Sequence, residues 1–207
     1  MKKKRSGVNR WFLTVIGVAL LTLSLAGVVY SVCAAWAFRL SFHAQLDKPS
    51  PGVEQIVEWC RKAYVLYPWN YYLSIFTAET AYYHADEVQG EAREVRLRQS
   101  RLWCERGLAQ NRYKSQLIRL KTRFLWEDSP SQAIAYWRAF TEWQFWEPYN
   151  HATLAELYAR YGNFEKAEQS LRWIEGDPSY GEARKVVMRE KKIWDDSVNG
   201  RPVEWGE

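Results

Sequence analysis

Hydrophobic and polar positions divide this chain into two unlike parts. From Trp11 to Phe38 no residue carries a charge and most are apolar, whereas beyond residue 52 apolar residues recur three and four apart in long stretches free of Gly and Pro. The first pattern predicts a membrane-spanning helix over 11–38, because about 20 apolar residues suffice to cross a bilayer. The second predicts amphipathic helices, with little of the strict alternation that strands require, so the fold class is all-α. Between them, residues 39–52 hold Asp47, Lys48, Pro49, Ser50, Pro51 and Gly52 and read as a linker ending in a helix start. Residues 53–195 read as one helical domain, and 196–207, with Asn199-Gly200 and Pro202, as a C-terminal tail.

Aligning the chain on itself at an offset of about 34 residues brings out an internal period. Leu120, Phe124, Ala133, Trp137 and Phe140 fall on Leu154, Tyr158, Ala167, Leu171 and Ile174, so large residues meet large ones and an alanine meets an alanine. The later copy, Leu154-Ala155, Tyr158, Gly162 and Ala167, resembles the tetratricopeptide repeat (TPR) family in length and in its alternation of small and large positions. In that phase the units run about 114–147 and 148–181, preceded by a longer one at about 70–113 with a polar break around Asp86, Glu87, Gln89 and Gly90. A helix at 51–67 corresponds to half of an earlier unit, and one at 180–196 to a cap. Lys121 and Thr77 stand where the family prefers a small residue, and Arg112 and Phe145 where it prefers proline. The resemblance implies an α-solenoid of TPR-like helix-turn-helix repeats behind a single transmembrane helix, its units stacked because none can bury its apolar face alone.

Charge refines this picture. The formal net charge of +5 suggests nucleic acid, yet residues 1–40 carry six Lys or Arg and no acid, leaving 23 basic against 24 acidic residues in the remainder, a net of −1. The basicity is a topology signal on residues 1–10, which predicts a cytoplasmic N-terminus and an extracytoplasmic domain, periplasmic in a Gram-negative bacterium. Ala35-Trp36-Ala37 has the form of a signal-peptidase site, but the apolar run is too long for a signal peptide, so a retained anchor is expected. Cys33 lacks a lipobox, since Val32 and Tyr30 are bulky. Gly27, Ser31 and Ala35 lie four apart on one helical face, a small-residue stripe suited to self-association or to docking on another membrane protein. Residues 93–123 hold ten basic residues against Glu94 and Glu105, and 126–182 hold ten acids against four bases, a polarity suited to anionic lipid or an acidic partner surface as well as to solvated helix faces.

Motifs for catalysis are absent. His43, His84 and His151 are far apart, with no His-Glu-x-x-His pattern, no glycine-rich phosphate loop and no Gly-x-Ser-x-Gly elbow, so no enzyme, cofactor or metal site is expected. The His84-Ala85-Asp86-Glu87 run reads as a solvated helix end. Cys60 and Cys104 occupy equivalent places on successive units, about 8–10 Å apart and too far for a disulfide, so buried thiols are expected. The 12 Trp and 13 Tyr serve chiefly as core, with Trp137 and Phe140 at repeat positions and Tyr136 and Trp143 on another face. The family's partners usually lie in a groove formed by the first helix of each unit. Carried over by position, that groove comprises Tyr71, Ala78 and Tyr82, then Ile118, Thr122 and Trp126, then Tyr149, Glu156 and Arg160. The expected function is a scaffold or adaptor for an envelope or membrane protein. The alternatives are an accessory single-span subunit of a larger membrane complex and a helper of cell-surface glycan assembly; nucleic acid is disfavoured by the compartment.

Overall fold

A computed structural model describes residues 10–46 and 52–198, and among the described residues the regular structure is entirely helical. The basic cluster of residues 2–5, the prolines of the linker and the tail from residue 199 onward lie outside them. The chain divides into two compact units, Met1–Gln110 and Asn111–Glu207. That division falls inside the stretch 53–195 that reads as one domain from sequence.

In the first unit, helix α1 (Arg10–Leu46) is 37 residues long, and its segment Trp11–Trp36, with a mean hydropathy of 2.4, is long and apolar enough to cross a membrane. It continues beyond Phe38 to Leu46, into the expected linker, because residues 39–46 contain no Gly or Pro to stop it. Helix α2 (Val53–Leu66) packs along α1, and α3 (Tyr71–Tyr83) lies between α2 and α4 (Glu91–Gln110), with a 3₁₀ turn at Ala85–Glu87. Covered from two sides, α3 buries Leu73, Ser74, Ile75, Thr77, Ala78 and Ala81, which spread over a broad face of the helix instead of a narrow stripe and leave Tyr72 and Tyr83 in solvent. Small side chains let α4 approach it, and the Ser100 hydroxyl donates to the Ala78 carbonyl at 2.7 Å. Thr77 is accommodated because its hydroxyl donates to the Leu73 carbonyl one turn back, at 2.7 Å. Cys60 and Cys104 are buried thiols.

One side chain ties three elements of this unit together. Arg96 of α4, largely buried, donates through Nη1 to the His84 carbonyl at the end of α3 (2.6 Å) and through Nη2 and Nε to Glu54 Oε1 in the first turn of α2 (2.7 and 3.1 Å). The planar fork reaches both acceptors at once, which a lysine cannot do. His84 Nδ1 meets Glu87 Oε1 at 2.6 Å, and Arg93 reaches Asp86, so the acidic run after α3 is consumed by local pairs.

The second unit holds α5 (Ser115–Asp128), α6 (Pro130–Trp143), α7 (Pro148–Arg160), α8 (Phe164–Arg172) and α9 (Tyr180–Val198). Pro130 separates α5 from α6. It excludes Ser129 from helical geometry (φ −161°, ψ 98°) and then serves as the first residue of α6. Pro148 opens α7 in the same way. All ten residues matched by the 34-residue offset are buried, Ala133, Trp137 and Ala167 completely. Neighbouring helices pack in order from α5 to α9, and α9 also packs on α7. Gly162, with φ +80°, ends α7, and Asn163 caps α8 by accepting from the Lys166 N–H at 3.1 Å. A Cβ on Gly162 would lie 2.8 Å from the Trp194 indole of α9, so a glycine is required there by both backbone and packing.

Gly162→Ala should lower the unfolding free energy by about 1–3 kcal/mol, the usual cost of a strained left-handed residue, read by urea denaturation of the full chain in detergent. Arg96→Met should cost a similar 1–3 kcal/mol by removing the bonds that tie α4 to the His84 carbonyl and to Glu54, the His84 carbonyl keeping the Glu87 N–H. The Arg96 hydrogen bond holds the Glu54 carboxyl below its ordinary pKa of 4.5. Because the folded value lies below the unfolded one, this pair stabilises the fold above pH 4.5 and ceases to do so as pH falls through the folded pKa. Glu54 is largely exposed, so Glu54→Gln should remove less than about 1 kcal/mol of acid sensitivity.

Candidate functional site

The turn between α6 and α7 is built around a buried tryptophan. Trp137, fully enclosed, donates its indole N–H to the Asn150 carbonyl at 3.0 Å, and the Thr141 hydroxyl donates to the Trp137 carbonyl at 3.0 Å. The buried Asn150 side chain returns a bond from Nδ2 to the Gln144 carbonyl at 3.1 Å. His151 Nε2 lies 2.6 Å from the Phe145 carbonyl; a carbonyl only accepts, so this ring nitrogen carries the proton. With the turn's carbonyls satisfied from inside, the side chains of Phe145 and Trp146 stand in solvent, 58% and 63% exposed.

This turn forms one end of an open groove of about 310 Å³ on the second unit. Arg138, Thr141, Glu142 and Phe145 come from α6 and its end, His151, Leu154 and Tyr158 from α7 beneath, and Lys166, Gln169, Ser170 and Trp173 from α8 and its end. Trp173 is 70% exposed and stacks on His151, ring centroids 5.4 Å apart and planes within 13°. Arg138 Nε approaches Glu142 Oε1 at 3.6 Å, and Lys166 lies over the Tyr158 ring at 5.6 Å. Flat aromatic surface beside charges of both signs is suited to holding a ligand through burial and hydrogen bonds. The described residues contain no group of three or more His, Cys, Asp or Glu able to hold a metal ion.

The groove joins the second helices α6 and α8, over the first helix α7 between them, whereas the sequence directs attention to first helices. Of the residues expected there, Ile118 and Thr122 are buried, and Thr122 donates to the Ile118 carbonyl at 2.8 Å, so these two are core of the second unit. Ala78 is likewise enclosed in the first unit. Trp126 is half-buried. Tyr149 is exposed, its hydroxyl accepting from Arg119 at 3.3 Å with the guanidinium 5.2 Å from its ring, and Glu156 and Arg160 form an ion pair at 2.6 Å on α7. Tyr71 and Tyr82 belong to the first unit, half-buried, where Tyr71 stacks on Tyr72 and Tyr82 meets Tyr83 edge-on. Trp143 stacks on Tyr113 at 4.0 Å. In α1, Gly27, Ser31 and Ala35 are all exposed, and the closely packed small residue is Ala34, beside that stripe. Sequence reasoning missed Phe145 and Trp173 as groove walls; the available signal was a large aromatic residue placed next to, and not on, a repeat-core position such as Ile174.

Comparison with protein-family models, with curated proteins and with solved structures gives no match.

Trp137→Phe should destabilise the second unit by about 1–3 kcal/mol through loss of a buried donor. Trp173→Ala should stay within about 0.5 kcal/mol of the parent chain in the same thermal or urea assay, as exposed substitutions do.

Proposed function

We propose that this chain is a single-span membrane scaffold or adaptor, its α-hairpins forming a TPR-like solenoid that holds a partner protein of the cell envelope. The observation that carries the reading is the groove of Phe145, His151 and Trp173. Its shape comes from a buried hydrogen-bonded turn, while its aromatic walls are left in solvent where an incoming side chain would cover them. Exposed aromatics seated on a rigid support are the residue type that anchors interfaces, and rigidity lowers the ordering cost of binding.

The anchor supports the location. The basic residues before α1 favour a cytoplasmic N-terminus and an extracytoplasmic repeat region. A second reading, an accessory subunit held within a larger membrane complex, draws on the exposed Gly27, Ser31 and Ala35 stripe. The mixture of indole surface and polar side chains around Trp173 also suits a sugar ring, which keeps a role in glycan assembly as a third.

Photo-crosslinking from position 169 of the full chain, on the groove but not one of its aromatic walls, in its native membrane, with identification of the captured protein, tests the adaptor reading. A single defined partner is expected, and Phe145→Ala or Trp173→Ala should weaken its co-purification at least tenfold, about 1.4 kcal/mol. Undiminished capture by both variants refutes the groove. Loss of the partner on exchanging residues 11–38 for an unrelated span, with the groove intact, favours the accessory subunit instead.

A further inference from the structure

The corner joining α2 to α3 leaves large apolar side chains uncovered. Val65 is 70% and Trp69 78% exposed, with Leu66 and Tyr72 also in solvent. The corner is not a loose loop. Gln110 of α4 donates to the Pro68 carbonyl within it and, at 3.3 Å, to the Tyr64 hydroxyl, while Asn70 accepts from the Tyr72 N–H at 3.2 Å to cap α3. Four exposed apolar or aromatic residues within eight positions, rigidly held, have no use in a freely solvated domain.

Their position relative to α1 supplies one. Helix α2 packs along α1 and follows it after only six intervening residues, so the two form an antiparallel hairpin. Fourteen residues of α2 cover about 21 Å. Its C-terminal end therefore lies beside a point about 14 residues before the end of α1, level with Tyr30 to Ala34. Burial marks the same place independently, for Ala34 is the one buried residue in Trp11–Trp36, all the others being exposed. That level is the last turn or two of the apolar span, just inside its Trp36 boundary. One turn further back on α2, Arg61 and Lys62 are exposed and share one carboxylate, Glu58 (2.7 and 3.7 Å), so this turn carries a net positive charge at the level where lipid headgroups begin.

We infer that the α2–α3 corner, through Val65, Leu66, Trp69 and Tyr72, inserts into the headgroup and upper acyl region of the bilayer that α1 crosses. Trp and Tyr favour this zone because their rings are apolar with one polar atom, and Arg61 and Lys62 can meet anionic headgroups. The first unit is then held against the membrane by two contacts, which fixes its tilt. The inference rests on α1 spanning the bilayer and is independent of what the groove binds.

The test uses the full chain, with Cys33→Ser, Cys60→Ala and Cys104→Ala and single introduced Cys labels carrying an environment-sensitive fluorophore, in nanodiscs of phosphatidylethanolamine and phosphatidylglycerol bearing nitroxide lipids. Val18→Cys reports the span, and Val65→Cys and Leu66→Cys the corner. We expect strong quenching at 18, and strong quenching at 65 and 66 that is greater from nitroxides near the headgroup than from those at the acyl terminus. Trp69→Asp should reduce quenching at 65 severalfold. Quenching at 18 without quenching at 65 or 66 overturns the corner contact and leaves the span standing, whereas no quenching at 18 removes the span and the corner with it. Unchanged quenching at 65 in the Trp69→Asp chain overturns the assignment of the contact to these side chains.

Discussion

A helical hairpin of this chain exposes more apolar surface than it can cover itself, and each helix therefore depends on its neighbour in sequence. The consequence is clearest where one helix has neighbours on both sides. Helix α3 is covered on two sides by α2 and α4, and α7 carries α6, α8 and α9 against it. Such contact demands small residues where backbones approach, which is why Ala78, Ala133 and Ala167 are fully enclosed. Several polar groups drawn in with them find a partner on their own helix. Thr77, Thr122 and Thr141 each return a bond to the carbonyl one turn earlier, so side chains that are not apolar enter the core at little cost.

The two units solve the problem of joining helices differently. The first uses a charged fork, Arg96, to bind the end of α3 and the start of α2 to α4. The second uses neutral groups, the Trp137 indole and the Asn150 amide, to close the α6–α7 turn from within. The neutral arrangement has a functional by-product. A turn whose carbonyls are satisfied internally can leave its aromatic side chains outside, and Phe145 and Trp146 are the result.

Much of this architecture is legible in the residues. Pro130 and Pro148 mark helix starts, Gly162 a helix end, and the 34-residue offset picks out ten positions that are all buried. The candidate site is less legible. Ile118 and Thr122 satisfy a positional rule for groove residues, yet the rule counts places along a helix and cannot say which side is covered. Trp173 escapes it for the opposite reason. It sits between the core residues Leu171 and Ile174, and only the path of the chain at the end of α8 turns its ring outward onto His151.

By itself, then, the sequence determined an apolar helix capable of crossing a membrane, an all-helical remainder and ten buried positions of its core, because these follow from local periodicity and hydropathy. The tertiary structure alone decided which aromatic residues remain in solvent, that Arg96 links three helices, and that the α2–α3 corner lies level with the end of the apolar span. Each of these depends on which faces meet when distant residues pack, and burial of a face is a property of its neighbour as much as of its own residues.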